Sequence, residues 1–561
     1  MDWLAPCLVP LMLLALVLLL ASGIPVVLAL VACGLLFGGL GVALGLVPLA
    51  LVTALPMRLE FIIGSESLLA IPFFTFMGVI LQRTGIAEEL LETAGQVFGP
   101  VRGGLAIAAI LVGALLAAAT GIVAASVISL ALISFPAMLR NGYDPRVAAG
   151  VVAATGTLTQ VVPPSLVLII VAQQLNMSLG DVYAGVLLPA AMLIGLYVAW
   201  IGCLAVLRPA AVPRAAMAQE GGSTGRRSLA ALVLAGAAAA AISMRGYPLL
   251  LAASGRTAVA TADEWVIVSI GAALLGMVLL AALERLFGLR CLSPLARRVA
   301  VVLLPPLMLL FAVLGSVFLG AASPNESGSL GALAAVAIAV ARRRLTAANL
   351  ALALQDTVRL TCIVMILLFG ATVFSLAFHA LEGARWVERA LGDLPGGPTG
   401  FLVVAMVSVF VLGMFLDFFE LAIILLPILG PVADQLGIDK VWFAVLMGLN
   451  LQTAYLTPPF GFALFYLRSV VPVADETGAP GEPPRRGIDT LQIYRGVLPF
   501  IAIQVTVMAL VIACPVLALG LVSKPVLLDA AQTEQRILEM SPARTPRSLV
   551  EPSLLPPGPQ R

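Results

Sequence analysis

From residue 103 to residue 139 the chain passes through 37 positions without one charged side chain. A helix crossing the hydrocarbon core of a bilayer needs about 20 apolar residues, so the run is too long for one ordinary crossing. Its middle reads AAATGIVAAS, where Thr120, Gly121 and Ser126 place a small, flexible, hydroxylated tip halfway along. Two readings are open: a helical hairpin that turns back inside the protein, or two tight ordinary crossings.

A second uncharged run, residues 147–180, is interrupted by GTLTQVVPPS at 156–165. Proline inside a helix removes a hydrogen bond and clashes with the preceding turn, at a cost of roughly 3 kcal/mol. The Pro163-Pro164 pair therefore breaks the helix. From Gly156 onward, freed carbonyls of the first half can hold a cation and N–H groups of the second an anion, with Thr157, Thr159, Gln160 and Ser165 as polar ligands. A kinked structural helix is the alternative.

The second half repeats the pattern. A shift of 295 positions carries Pro136 onto Pro431, Gly142 onto Gly437, Asp144 onto Asp439, and Pro163-Pro164 onto Pro458-Pro459. The repeated break reads NLQTAYLTPPFG at 450–461, inside the uncharged run 441–467, and offers Asn450, Gln452, Thr453, Thr457, Pro458, Pro459 and Gly461. Two broken helices at corresponding positions point to a site between internal repeats near the membrane midplane. Just before the second break, LDFFE sets Asp417 and Glu420 three residues apart, which on a helix would share one face. Acidic groups within such apolar sequence mark an ion or proton path, unless they form an interfacial helix end or a solvated pair. Sodium suits oxygen-only ligands of this kind.

Composition narrows the function. The chain is 61% hydrophobic and 11% charged, against about 25% charged in soluble domains. A net charge of +2 leaves no basic surface for nucleic acid. The six cysteines, Cys7, Cys33, Cys203, Cys291, Cys362 and Cys514, show no CxxC spacing and read as packing residues. His379 is the only histidine, so a multi-histidine metal cage is excluded. No GxxxxGK[ST] sequence is present for ATP hydrolysis. An enzyme using Asp417 and Glu420 as acid and base leaves the paired proline breaks unexplained. The expectation is a secondary transporter with no catalytic residues and no organic cofactor.

Along the chain, residues 1–207 form a first transmembrane half and 208–298 a linker with extra crossings. Residues 299–522 form a second half, and 523–561, rich in proline and mixed charge, a disordered tail. Met1-Asp2-Trp3 lacks the basic start of a signal peptide, so residues 8–20 are expected to be a retained first helix. Arg342, Arg343 and Arg344 mark a cytoplasmic helix end. Residues 345–358 are either an interfacial helix or a plain connector.

Long ordered segments now resemble a known family. They include AIPFFTFMGVILQRTGIA at 70–87, GPVRGGLA at 99–106, NGYDPRVAAG at 141–150, VVPPS at 161–165, ASPNES at 322–327 and GIDKVWFAVLMGLNLQTAYLTPPFGFALFYLRS at 437–469. They resemble the large membrane subunit, the DctM-type permease, of the tripartite ATP-independent periplasmic (TRAP) transporters. LDFFELAIILLP is most similar to the branch labelled mannitol or chloroaromatic transport. The resemblance implies an all-α integral membrane protein of the bacterial inner membrane. It would be a polytopic helical bundle with inverted internal repeats, two re-entrant helical hairpins and two broken helices, of elevator type.

It further implies sodium-coupled import of a small organic anion, a 2-oxo acid, lactate or similar carboxylate. A periplasmic binding protein (DctP-type) would deliver it, and a separate four-helix small subunit (DctQ-type) would brace the permease in the lipid bilayer. A stand-alone ion-coupled anion transporter without a binding protein is the alternative. By position, the hairpin tip and first break build one half of the site, and Asp417, Glu420 and the second break the other, with Na+ near Thr120, Thr157, Asp417 and Thr457. Two departures stand out: extra length at 208–298, and ATG where many members carry a serine-rich tip, which removes a hydroxyl from one sodium site.

Overall fold

The computed structural model describes residues 5–48, 53–214, 223–253, 262–287, 292–392, 396–471 and 488–522. Cys291 and the tail expected at 523–561 lie outside the described residues. Among the described residues every regular element is helical, and nine helices are long and apolar enough to cross a membrane. Large apolar side chains such as Leu35, Leu234 and Leu333 point outward, an arrangement that lipid accepts and water does not.

The first half contains α1 (Ala5–Ala21), α2 (Val26–Ala43), α3 (Leu55–Ile63), α4 (Glu66–Arg83), α5 (Ile86–Phe98), α6 (Gly104–Thr120), α7 (Val123–Arg140), α8 (Pro145–Thr157), α9 (Leu166–Gln174) and α10 (Leu179–Leu207). Between the halves lie α11 (Ser223–Ala253), α12 (Ala262–Phe287) and α13 (Pro294–Val302). The second half contains α14 (Leu304–Phe318), α15 (Pro324–Ala341), α16 (Ala347–Ala380), α17 (Gly383–Gly392), α18 (Gly397–Leu412), α19 (Phe418–Gln435), α20 (Lys440–Leu456), α21 (Phe462–Val470) and α22 (Thr490–Ala513), followed by the short α23 (Val516–Leu519).

The 295-residue shift governs the whole architecture. It carries α7 onto the bounds of α19, and α8 and α9 onto α20 and α21 to within a few residues. The bent pair α3 and α4 corresponds to the unbroken α16, 34 residues long. Residues 345–358 are therefore neither a separate interfacial helix nor a separate connector. From 347 on they are the first turns of α16, because no proline or glycine interrupts the chain before Gly370.

Packing between the halves is reciprocal. Helix α2 lies on α16 while its counterpart α15 lies on α4; α7 packs on α21 and α19 on α9; α8 packs on α22 and α20 on α10. Such an exchange is what two copies related by a two-fold axis produce, and it makes each half complete only with the other. Glycines permit these crossings: a Cβ on Gly34 would lie 2.7 Å from the Val373 carbonyl oxygen, and one on Gly150 only 2.1 Å from that of Gly496. Small residues at helix contacts are the usual means of close packing where no water drives association.

Charge is gathered at one junction. Glu89 of α5 pairs with Arg342 at 2.9 Å and with Arg344, Glu92 pairs with Arg298 at 2.8 Å, and Arg83 pairs with Asp356 at 2.6 Å. Two of the three consecutive arginines thus fasten the amphipathic helix leading into the α6–α7 hairpin. The start of the inter-half linker is also fastened. The amide of Gly103 donates to the Val212 carbonyl and that of Asp144 to the Ala211 carbonyl, both at 3.0 Å, and Val212 is buried.

Replacing Gly150 by leucine is expected to force α8 from α22 and lower the melting temperature of the purified protein. Overpacking of this kind costs about 1–3 kcal/mol or more. Gly195→Ala, whose new methyl meets nothing within 4 Å, should leave the melting temperature unchanged; equal behaviour of the two would disprove the tight crossing.

Candidate functional site

The first hairpin turns at Gly121, where φ of +64° is accessible to glycine at no steric cost. Thr120 and Ser126 face each other across this turn with their hydroxyls 2.8 Å apart, both buried. The tip keeps two hydroxyls despite its ATG sequence. A Cβ on Gly121 would stand 2.8 Å from Leu166, the first residue of α9, so the tip rests on the restart of the broken helix. Gly156 serves the same contact from the other side, since a Cβ there would meet Val127 at 2.2 Å.

At the first break α8 ends at Thr157, a single 3-10 turn covers Leu158–Gln160, and Ser165 opens α9 after a cis Pro163-Pro164 bond. The local hydroxyls occupy freed carbonyls: Thr157 donates to Ala154 at 2.8 Å, Thr159 to Gly156, and Ser165 to Gln160 at 3.1 Å. Gln160 is fully buried, and neither its amide oxygen nor its nitrogen has a hydrogen-bond partner. At about 1.5 Å per residue, α8 and α9 reach roughly 20 and 14 Å, each short of the roughly 30 Å hydrocarbon core.

The second break has the same plan. Helix α20 ends at Leu456, Pro458-Pro459 is cis, and Gly461 precedes α21. Gly461 admits no side chain, because a Cβ would lie 2.6 Å from the Tyr455 carbonyl oxygen. Thr453 and Thr457 donate to Leu449 and Thr453 carbonyls within their own helix, at 2.8 and 2.7 Å. Asn450 reaches outside, donating to the Met406 carbonyl at 2.6 Å, whereas Gln452 is fully buried with both amide atoms unpartnered.

Asp417 and Glu420 correct the expectation of a shared helical face. Asp417 stands outside the helix as the N-cap of α19, in extended conformation, and Glu420 closes a capping box by accepting the Asp417 N–H at 3.2 Å. A capping box satisfies two of the donors that every helix start leaves free. The pair therefore forms the tip of the second hairpin, between α18 and α19. Met414, Phe415 and Leu416 lie in that turn, and with Gly413 their carbonyls accept no backbone hydrogen bond among the described residues. The tip sits on its own break: Tyr455 of α20 donates to Asp417 Oδ2 at 2.5 Å, and the rings of Phe415 and Phe460 are 4.9 Å apart.

Three further groups escape a reading of sequence alone. Gln504 of α22 donates to Tyr197 of α10 at 2.8 Å and to Thr157 at 3.4 Å, and Gln452 lies beside the same tyrosine hydroxyl. Thr157 and Gln452 are equivalent under the 295-residue shift, so this polar chain joins the two broken helices where they cross. The available signal was one glutamine and one of two tyrosines in two apolar runs. Tyr455, inside the second break's own sequence, is the third.

The two units differ in exposure. Thr120, Gly121 and residues 156–160 are buried, while Phe415, Pro459 and Phe460 are exposed and Asp417, Glu420, Thr457 and Pro458 half-buried. A cavity of about 160 Å³ lies elsewhere, at the open end of the first hairpin among Leu91, Ala108 and Met138. Among the described residues His379 bonds to Ser375 in its own turn.

Paired hairpins and paired broken helices in a multi-span chain define a membrane transport protein of the internal-repeat class. Residues 13–517 match the model of the family described as tripartite ATP-independent periplasmic transporter, DctM component, and the chain belongs to that family. A curated relative is the C4-dicarboxylate TRAP transporter large permease protein DctM of Pseudomonas aeruginosa, 26% identical over 452 residues, covering 80% of this chain and 86% of that one. Another is the sialic acid TRAP transporter large permease protein SiaM of Vibrio cholerae, 25% identical over 493 residues, covering 86% and 94%. Among solved structures, the Alcanivorax borkumensis YdaH transporter aligns with a TM-score of 0.47 at 13% identity, covering 84% of this chain and 89% of that one.

Gln504→Leu is expected to cost about 1–3 kcal/mol, the penalty for taking the Gln504 donor from the buried Tyr197 hydroxyl. A fall in melting temperature checks it; an unchanged value would show that Gln504 does not tie Thr157 to Tyr197.

Proposed function

We propose that this chain is the large permease subunit of a TRAP transporter of the bacterial inner membrane, importing a small organic anion by sodium coupling. A DctP-type periplasmic binding protein delivers the anion, and a DctQ-type small subunit braces the permease in the bilayer. One observation carries this reading: each repeat sets a hairpin tip against its own broken helix, and the second pair brings Asp417 to a turn whose carbonyls accept no backbone hydrogen bond among the described residues. Oxygen-only groups of this type suit a hard cation.

The cargo reading rests on charge. Within residues 113–135, 150–180, 405–433 and 441–467 there is no Lys or Arg, so a carboxylate is offset there by helix N-termini and co-bound sodium ions. The curated relatives are named for a C4-dicarboxylate and for sialic acid, both carboxylates. A monocarboxylate such as a 2-oxo acid or lactate needs the least compensation. Sodium sits near Thr120 and Thr157 in one unit and near Asp417 and Thr457 in the other. Tips and breaks move together, elevator-like, against a frame containing α2, α4, α15 and α16. Each sodium ion contributes roughly 2.3 kcal/mol per 100 mV of membrane potential.

In proteoliposomes holding this chain and its small subunit, uptake of a labelled 2-oxo acid is expected to need both an inward sodium gradient and added binding protein. Sodium-driven uptake without binding protein would replace this reading with a stand-alone transporter. Uptake indifferent to sodium would remove the coupling ion.

A further inference from the structure

We propose that Tyr455 is a positioning residue: its hydroxyl fixes the Asp417 carboxylate at the second hairpin tip and thereby sets sodium affinity there. The inference rests on the sodium-coupled reading above and goes beyond it in naming what holds the charged ligand.

The geometry is specific. Asp417 lies at a turn, where a short side chain with free rotation would sample several directions. Here both its oxygens are engaged: Oδ2 accepts the Tyr455 hydroxyl at 2.5 Å, Oδ1 accepts the Phe419 N–H at 2.9 Å, and the carboxylate also caps the Glu420 N–H. Each carboxylate oxygen has further acceptor capacity, so the group is aimed without being used up. The Tyr455 oxygen in turn accepts the Phe418 N–H at 3.3 Å. One hydroxyl therefore gathers the first residues of α19 onto α20.

The ring is held separately. It packs edge-on against Phe418 at 5.7 Å and stacks on Phe462 at 5.0 Å, and the whole side chain is 1% exposed. Removing the hydroxyl alone leaves that packing in place. The first repeat has no such device, since the 295-residue shift pairs Tyr455 with Gln160 and Asp417 with Ile122. A charged, aimed ligand belongs to the second tip alone.

The test is uptake by the reconstituted three-part system across sodium concentrations, for the wild type, Tyr455→Phe and Asp417→Asn. Loss of one hydrogen bond to a charged group is expected to raise the half-saturating sodium concentration about ten-fold in Tyr455→Phe. Maximal uptake and the substrate KM at saturating sodium should stay within about two-fold, because a positioning group acts on one ligand. Asp417→Asn should lose sodium dependence at this site. Wild-type sodium dependence in Tyr455→Phe, with that of Asp417→Asn lost, would overturn the inference and leave the sodium site standing. So would a fall in maximal uptake with unchanged half-saturation, the mark of a structural role. Unchanged sodium dependence in Asp417→Asn would overturn the underlying sodium site instead.

Discussion

The fold depends on one constraint: inside a bilayer no water is available to satisfy a backbone N–H or carbonyl, so a helix can be interrupted only where protein replaces the missing bonds. Both breaks meet it, the first with short-range means and the second with help from α22. At the first, Thr157, Thr159 and Ser165 turn their hydroxyls onto carbonyls of the same segment. At the second, Gly461 donates back to Thr457 and Tyr494 of α22 donates to Pro459. The hairpin tips then cover what remains, which is why each tip lies on a break and not on a continuous helix.

The repeats share a backbone plan and diverge in chemistry. The first unit is buried, and its polar side chains are uncharged hydroxyls and an amide. The second is partly exposed and carries a carboxylate, a phenol and several phenylalanines. Duplication supplied the geometry, and side-chain divergence made one unit the reachable, charged one. The polar chain from Thr157 through Gln504 and Tyr197 toward Gln452 links the two across an otherwise apolar interior, where a lone polar group would be costly.

Much of this was legible in the sequence because its causes are local. Proline breaks a helix through its own ring, so Pro163-Pro164 and Pro458-Pro459 announced both interruptions, and the glycine between Thr120 and Ile122 announced the turn. Capping is equally local, and the D-x-x-E pattern from Asp417 to Glu420 carried that signal, yet the same spacing also fits two residues on one helical face. What decides between them is where the helix begins, which the surrounding apolar residues leave open. The partners of Gln504 and Tyr197 were not legible, because they come together across more than 300 residues. Exposure of the second unit was hidden for the same reason: it is set by packing.

The exchange of helices between halves has a consequence for how the protein is made. Helix α2 finds its place on α16, and α7 on α21, only after a further stretch of chain about as long as the 295-residue shift has left the ribosome. At translation rates of about 5–20 residues per second, a delay of roughly 15–60 s separates the insertion of the first helices from the arrival of their partners. For that interval glycine-lined grooves such as the one around Gly34 face lipid alone. The newborn half is kept in the membrane by hydrophobicity and by its own helix contacts, and gains its crossings with α16, α21 and α22 only when the second half arrives.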